Sequence, residues 1–264
     1  KKFNGMFAFA LWDREMQTLT LARDRIGIKP LYYGWMGATF LFGSELKALK
    51  AHPEFEGRVD RESLSLLMRF NYIPAPRSIY QNVFKLQPGM FLTVKAGEMD
   101  SSPTTYWSFE ETARQGVQDG FDGTREEAVD QLDSLLGSAV KLQMASDVPL
   151  GAFLSGGIDS STIAALMQKQ SPQAIKTFSI GFEEKGFDEA PYARRVAKHL
   201  GTDHTEHYVS SQDAMSIIPR LPNLYDEPFA DSSQIPTYLL SHLTRQNVTV
   251  SLSGDGGDEL FCGY

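Results

Sequence analysis

The 264-residue sequence lacks what several classes of protein require. It has one cysteine, Cys262, which excludes an internal disulfide framework and suits a reducing cytoplasm. Basic residues are outnumbered by acidic ones, 25 to 33, so the basic surface of a general nucleic-acid binder is missing. No apolar run approaches the roughly 18 residues of a membrane span. The composition therefore predicts a cytoplasmic protein that binds neither nucleic acid nor a membrane.

The most informative stretch is residues 153–163, Phe-Leu-Ser-Gly-Gly-Ile-Asp-Ser-Ser-Thr-Ile. This order predicts a strand, a tight turn and a helix N-terminus, whose backbone N–H groups and hydroxyls can bind phosphate. The stretch lacks the lysine of the Gly-x-x-x-x-Gly-Lys-Ser/Thr loop, and it is not the Gly-x-Gly-x-x-Gly turn. A loop without that lysine suits a pyrophosphate that leaves whole. It therefore favours nucleotidyl transfer over γ-phosphoryl transfer.

Residues 252–259, Leu-Ser-Gly-Asp-Gly-Gly-Asp-Glu, follow another apolar run and form a second motif of this kind. Either motif alone is more simply an Asx-rich turn ending in a glycine. Two of them in matching strand-to-turn contexts favour a shared ligand. Acids beside phosphate are unfavourable unless a cation lies between them, so Asp159 and Asp258 are candidate magnesium ligands.

Hydrophobic periodicity divides the sequence into two parts. Residues 1–107 predict mostly antiparallel β structure with short helices, and the acidic, glycine-containing residues 108–123 predict a linker. In residues 124–264 helical and strand patterns alternate, which predicts an α/β fold with a parallel, doubly wound sheet. Ligands bind beyond the carboxyl ends of the strands of such a sheet, which is where Ser155 and Ser253 fall.

The motifs resemble a known family. Residues 155–160 resemble the Ser-Gly-Gly-x-Asp-Ser signature of N-type ATP pyrophosphatases, and residues 146–161 are similar to glutamine-dependent asparagine synthetases. Residues 4–13, 22–34 and 253–264 fit the same family. Asp255 stands where relatives often have glutamate, and Cys262 stands where they usually have glycine.

The resemblance implies a domain organisation and a reaction. Residues 1–107 would be the β-rich C-terminal portion of an N-terminal-nucleophile glutaminase domain. Residues 124–264 would be the nucleotide-binding portion of a synthetase domain of the ATP pyrophosphatase, adenine nucleotide α-hydrolase-like, type. ATP would adenylate the side-chain carboxylate of aspartate, releasing pyrophosphate, and ammonia from glutamine would then displace AMP. The implied ligands are ATP, Mg²⁺, aspartate and glutamine, and a homodimer is left open.

The resemblance also implies roles for single residues. The pyrophosphate loop would comprise Ser155, Gly156, Gly157, Asp159, Ser160 and Ser161. Further nucleotide contacts would come from Phe153, Leu154, Ile180, Ser253 and Gly254. Asp159 and Asp258 would hold magnesium, and Asp255 and Asp258 would act at the reacting phosphate.

Several alternatives stay open at this point. Amidotransferases and β-lactam-type synthetases that act on another carboxylate share both motifs, and a non-catalytic nucleotide-binding relative is a third alternative. Residues 226–233 have two alternative interpretations of equal weight: a substrate or lid segment, or an N-capped loop. The glutaminase nucleophile is expected upstream and further synthetase helices beyond Tyr264. We therefore expect an internal piece that lacks glutaminase activity and makes asparagine poorly or not at all.

Two charged clusters have simpler interpretations than a binding site. His204 and His207 lie three residues apart on a predicted strand, so they point to opposite faces and cannot share a metal ion. Arg23-Asp24-Arg25 precedes Gly27, which favours a paired turn over an anion site.

Overall fold

The computed structural model describes residues 3–182, 188–261 and 263. The chain divides into two units. Unit 1 joins residues 1–120 with the segment 221–231, and unit 2 joins residues 121–220 with residues 232–264. No helix in these described ranges is long and apolar enough to cross a membrane.

Strands dominate the first part of the chain, and helices alternate with strands in the second. In chain order, the strands are β1 (Ala8–Asp13), β2 (Thr18–Arg23), β3 (Tyr32–Met36), β4 (Thr39–Gly43), β5 (Val83–Lys85), β6 (Met90–Lys95), β7 (Thr104–Thr105), β8 (Leu150–Phe153), β9 (Lys176–Phe182), β10 (Asp203–Val209) and β11 (Val250–Leu252). The helices are α1 (Leu46–Lys50), α2 (Arg61–Phe70), α3 (Phe109–Gln118), α4 (Arg125–Gln143), α5 (Ile158–Gln170), α6 (Ala190–Leu200), α7 (Ser211–Ile217), α8 (Leu221–Leu224), α9 (Gln234–Thr244) and α10 (Gly257–Phe261).

Unit 1 contains two antiparallel sheets, in agreement with the predicted β-rich first part. Their strand orders are β1-β2-β6-β7 and β4-β3-β5. The first sheet packs around the fully buried side chains of Leu21, Leu86 and Leu92. The second packs with α1 around a separate cluster that includes Leu46 and Val83. Side chains of β3 and β4 also pack against the first cluster, so the two sheets share that core.

The loop that follows β2 is organised by the buried carboxylate of Asp24. That carboxylate accepts hydrogen bonds from four backbone N–H groups, those of Phe7, Gly27, Ile28 and Lys29. The guanidinium of Arg23 donates to three backbone carbonyls, those of Gly27, Lys29 and Leu86. Burial lowers the pKa of Arg23. Both charges serve the backbone of the turn, as the simpler interpretation of this cluster predicts.

Unit 2 contains a parallel sheet with the strand order β10-β9-β8-β11. From β8 the chain adds β9 and β10 on one side, after α5 and α6, whereas β11 adds on the other side of β8. The strand order therefore reverses between β8 and β11, which makes their carboxyl ends a topological switch point. The predicted α/β class with a parallel sheet is confirmed.

The region between the two parts differs from its sequence-based interpretation. Residues 108–123 predict a linker, but ten of them form α3. The hydroxyl of Ser108 caps this helix by accepting a hydrogen bond from the N–H of Glu111, and acidic side chains in the first turn favour its N-terminal dipole. The acidic composition here marks a helix start. Thr124 and Glu127 form a capping box at the start of α4.

The side chain of His204, on β10 of unit 2, is 9% exposed. Its Nδ1 is 2.9 Å from Oγ1 of Thr177, and its Nε2 is 3.3 Å from Oγ of Ser179. Burial lowers the pKa of His204, and this effect outweighs the opposite influence of the Glu206 carboxylate 3.8 Å away. Glu206 itself pairs with Arg194. The histidine is therefore held as a neutral group between hydroxyls.

We expect the free energy of unfolding of unit 2 to decrease as the pH is lowered, because of His204. Its pKa in the folded state lies below the unfolded value of about 6.5, so the unfolded state binds the proton more tightly. Stability is therefore fully present above that unfolded value and is lost as the pH falls towards the folded pKa. His204→Asn should flatten this dependence in urea titrations followed by far-UV circular dichroism. A pH dependence identical to that of the parent chain would contradict the assignment.

Candidate functional site

The switch point of unit 2 holds a cavity of about 350 Å³. Three strand ends deliver its lining, because β8, β9 and β11 are neighbours in the sheet and all run in the same direction. Ten of the predicted site residues line it: Phe153, Leu154, Ser155, Asp159, Ser160, Ile180, Ser253, Gly254, Asp255 and Asp258. The sheet thus brings together residues that lie about a hundred positions apart in sequence.

The loop between β8 and α5 is closed by its own hydroxyls. The N–H of Ser155 donates to Oγ of Ser160 over 3.2 Å, and the two Oγ atoms lie 2.9 Å apart. The N–H of Gly157 donates to Oγ of Ser155 over 3.2 Å. The first N–H groups of α5 have no acceptor inside the helix. Hydroxyls and N–H groups therefore meet at one helix start, an arrangement that suits an anionic ligand.

Three predicted nucleotide contacts do not line the cavity. Gly156 has a φ of +84°, and a Cβ there would lie 2.7 Å from the backbone N of Ala193, so its glycine allows α6 to pack against the loop. Gly157 is the N-cap residue of α5. Oγ of Ser161 is buried and has no hydrogen-bond partner in the described part of the chain. The two glycines therefore shape the loop.

The loop after β11 lies directly against the first loop. A Cβ on Gly254 would be 2.7 Å from the backbone N of Ser160, and a Cβ on Gly257 would overlap the carboxylate of Asp159. Oγ of Ser253 donates to Oδ2 of Asp255 over 2.9 Å, which fixes the direction of that carboxylate. Gly254 and Gly257 are therefore required by the close approach of the two loops.

Two carboxylates at the cavity fit a magnesium ion. Asp159 lies in the first turn of α5, Asp258 lies in the first turn of α10, and both line the cavity. Among the residues that the structure describes, no group of three or more His, Cys, Asp or Glu side chains is placed to hold a metal. Magnesium is commonly held by one or two protein carboxylates together with substrate phosphates and water. This donor set therefore suits a metal that arrives with a polyphosphate.

Six lining residues were not identified from the sequence: Ser179, Glu189, Thr237, Leu240, Gly256 and Glu259. Thr237 and Leu240 are three residues apart and so share one face of α9. That spacing is visible in the sequence, but nothing there indicates that this face meets a site. Glu189 is the N-cap residue of α6, and its position depends on how α6 packs against β9.

Two further predictions about the site have different outcomes. None of the residues 226–233, for which a substrate or lid role was one of two alternatives, lines this cavity. Asp226 and Glu227 instead form ion pairs inside unit 1, with Lys47 and Lys85. Cys262, where the sequence departs from its relatives, lies outside the described residues.

Alanine substitutions at two glycines test the close approach of the loops. Gly254→Ala places a methyl group against backbone atoms of Asp159 and Ser160, so we expect the free energy of unfolding to fall by about 1–3 kcal/mol. The matched control is Gly137→Ala within α4, where no atom lies within 4 Å of an added Cβ. Helix propensity should raise stability there by about 1 kcal/mol. Equal changes in the free energy of unfolding for the two substitutions, measured by urea unfolding, would contradict the close contact between the two loops.

Comparison with protein families identifies both halves of the sequence. A family model described as asparagine synthase matches residues 131–264. A model described as a glutamine amidotransferase domain matches residues 1–107. Residues 108–130, which include the predicted linker, lie between the two matches, and together the matches cover most of the chain.

Curated relatives match along the full chain. A putative glutamine-hydrolysing asparagine synthetase 2 from Methanocaldococcus jannaschii is 40% identical over 267 residues, which cover 100% of this chain and 50% of that protein. Glutamine-hydrolysing asparagine synthetase 1 from Bacillus subtilis is 37% identical over 264 residues, which cover 100% and 40%. The chain thus spans half or less of the length of these relatives.

Among solved structures, an NMN synthetase from Francisella tularensis is 16% identical, with a TM-score of 0.37, and the match covers 54% of this chain and 59% of that one. That likeness is weak. The fold assignment rests on the strand order of the parallel sheet.

Proposed function

The chain belongs to the asparagine synthase family, and on that premise we propose that unit 2 binds ATP for adenylation of the side-chain carboxylate of aspartate. The observation that carries the proposal is the cavity at the switch point, where two Ser-Gly loops meet and two carboxylates line the space. AMP and pyrophosphate would be the products, with ammonia as the attacking nucleophile. The activity of the whole protein, its substrates and its cytoplasmic location are part of this proposal.

The first loop would receive the phosphates. Ser155 and Ser160 now hydrogen-bond to each other, and their hydroxyls can rotate to donate to phosphate oxygens. The first N–H groups of α5, which have no acceptor inside the helix, would stabilise the charge that develops on the departing pyrophosphate. Mg²⁺ held by Asp159 and Asp258 would, when bound, neutralise part of the polyphosphate charge. These groups act by position, so no covalent intermediate on the protein is needed.

The apolar part of the cavity would receive the adenosine. Phe153, Leu154, Ile180 and Leu240 contribute apolar surface, and Ser179 and Thr237 add hydroxyls beside it. An apolar pocket with a few polar groups is the usual design of a site for a flat heterocycle. Asp255, whose carboxylate is oriented by Ser253, would act near the reacting phosphate.

Unit 1 would belong to the part of the protein that supplies ammonia. Residues 1–107 match the glutamine amidotransferase model, and the named relatives hydrolyse glutamine. We propose that glutamine is the nitrogen donor of the whole protein. Its hydrolysis would deliver ammonia for attack on the acyl adenylate formed in unit 2.

Exchange of labelled pyrophosphate into ATP by the full-length protein tests the proposed adenylation. We expect exchange that depends on Mg²⁺ and on aspartate, because the acyl adenylate forms reversibly before ammonia attacks. Exchange supported only by another carboxylate would identify a related synthetase with a different acceptor. Binding of ATP without exchange with any carboxylate would identify a nucleotide-binding relative that lacks the activity.

Single substitutions of the two cavity carboxylates test the proposed metal site. Asp159→Asn and Asp258→Asn should each lower the exchange rate by on the order of 100-fold, because each removes a negative oxygen ligand from the metal. The matched control is Asp133→Asn, which lies outside the cavity and pairs with Lys169 on the exposed surface of the same unit. It should keep the parent rate. Full activity of either cavity variant would remove that residue from the proposed metal site.

A further inference from the structure

Glu189 brings a carboxylate to the cavity of unit 2 from a different side than the other acids. It is the N-cap residue of α6. The other acids that line the cavity come from the segments that follow β8 and β11, and they are Asp159, Asp255, Asp258 and Glu259. Both proposed metal ligands belong to that second group. Glu189 therefore supplies a negative charge that the proposed metal site does not explain.

Close contacts fix the place of Glu189 beside the end of β9. A Cβ on Gly181 of β9 would lie 2.9 Å from Oδ1 of Asp188, the residue before Glu189. A Cβ on Gly156 of the first loop would lie 2.7 Å from the backbone N of Ala193, whose N–H donates to the carbonyl of Glu189. The start of α6 is thus held between the end of β9 and the first loop.

The strand order gives the cavity two ends. Because β8 lies between β9 and β11, the first loop has the start of α6 on one side and the loop after β11 on the other. Gly257, the residue before Asp258, approaches the carboxylate of Asp159, so the proposed metal ligands lie where the two loops meet. Glu189 lies at the β9 end, together with Ile180, which belongs to the apolar surface proposed for the adenosine.

The carboxylate of Glu189 is not used by the helix that carries it. Although Glu189 is the N-cap residue, its side chain accepts no hydrogen bond from the first turn of α6. Oδ1 of Asp188 accepts instead from the N–H of Ala190 over 3.1 Å. The guanidinium of Arg194 on the same helix pairs with Glu206. The carboxylate of Glu189 is therefore available to a ligand in the cavity.

A carboxylate at this end of the cavity selects a neutral hydrogen-bond donor. An ionised carboxylate only accepts hydrogen bonds, and it repels phosphate oxygens where no cation lies between them. The neutral donors of ATP are the two ribose hydroxyls and the adenine amino group. Two neighbouring hydroxyls match the two oxygens of one carboxylate, and an acidic side chain binds a ribose hydroxyl in dinucleotide-binding folds. A ribose lies between base and phosphates, just as Glu189 lies between Ile180 and the first loop.

We propose that Glu189 binds the 2′- and 3′-hydroxyls of the nucleotide ribose and makes the site selective for ribonucleotides. This inference rests on the proposed ATP-binding function of unit 2 and adds a determinant of which nucleotide is accepted. A hydrogen bond to a charged group contributes more than one between neutral groups. Loss of either hydroxyl therefore weakens binding, even though the base and the phosphates are unchanged.

Binding of deoxynucleotides to the full-length protein tests the proposal. Titration calorimetry with Mg²⁺ and without aspartate would give the dissociation constants of ATP, 2′-deoxy-ATP and 3′-deoxy-ATP. We expect the constant of each analogue to exceed that of ATP about tenfold or more, because each analogue loses a hydrogen bond to a charged acceptor. Equal constants for ATP and either analogue would overturn the proposal.

Substitution of Glu189 assigns the selectivity to its carboxylate. In Glu189→Ala the ratio of each analogue's dissociation constant to that of ATP should fall to about one, because no acceptor remains for either hydroxyl. Glu189→Gln keeps one acceptor oxygen and should keep part of the selectivity. The matched control is Glu126→Ala, which removes an acid from the first turn of α4, outside the cavity of the same unit. It should keep the parent ratios.

The outcomes distinguish this inference from the function on which it rests. A full-length protein that binds no ATP with Mg²⁺ would overturn the proposed function itself. A protein that binds ATP, together with a folded Glu189→Ala variant that keeps the parent ratios, would overturn only the role of Glu189. Each ratio compares ligands on the same folded variant, so a change in stability alone leaves it unaltered.

Discussion

The parallel register between β8 and β11 is the constraint on which the candidate site depends. It pairs Ala152 with Leu252, so the two loops leave the sheet at the same level and in the same direction. Their backbones then meet so closely that Gly254 has no room for a side chain. This one pairing sets the position of both serine hydroxyls and brings both carboxylates to one cavity. It also sets the direction in which α5 presents its N-terminus.

Carboxylates in this chain serve two distinct purposes, and their surroundings distinguish them. Inside unit 1, three carboxylates accept hydrogen bonds from backbone N–H groups: those of Asp24, Asp226 and Glu227. These bonds replace the secondary-structure hydrogen bonds that the loops lack. Asp159 and Asp258 open instead into a cavity beside helix starts. An acid that accepts hydrogen bonds from backbone amides is part of the fold, whereas an acid that lines a cavity is available to a cation. Sequence alone does not separate the two groups.

The sequence predicted those features that depend on local pattern. Alternating strand and helix patterns indicated the parallel sheet, and the Ser155 and Ser253 motifs indicated where its ligand lies. Features that depend on packing were missed. The Thr237 face of α9 became part of the site only through its contact with the sheet, and α3 formed because Ser108 supplied a cap that composition did not reveal. The docking of residues 221–231 is the clearest case, since no local pattern indicates an acceptor 148 positions away.

The large sequence separation between Ile79 and Glu227 has a consequence for the order of folding. Unit 1 is discontinuous in sequence, because 100 residues of unit 2 precede the segment that completes it. During synthesis the amides of Leu46 and Ile79 and the ammonium of Lys85 emerge long before Asp226 and Glu227 exist. Domains otherwise tend to fold as units from the N-terminus onward, and contacts of large sequence separation form late. Unit 1 therefore cannot be completed until 100 residues of unit 2 have been synthesised, and a ribosome stalled before residue 226 would present the amides of Leu46 and Ile79 without their carboxylate acceptors.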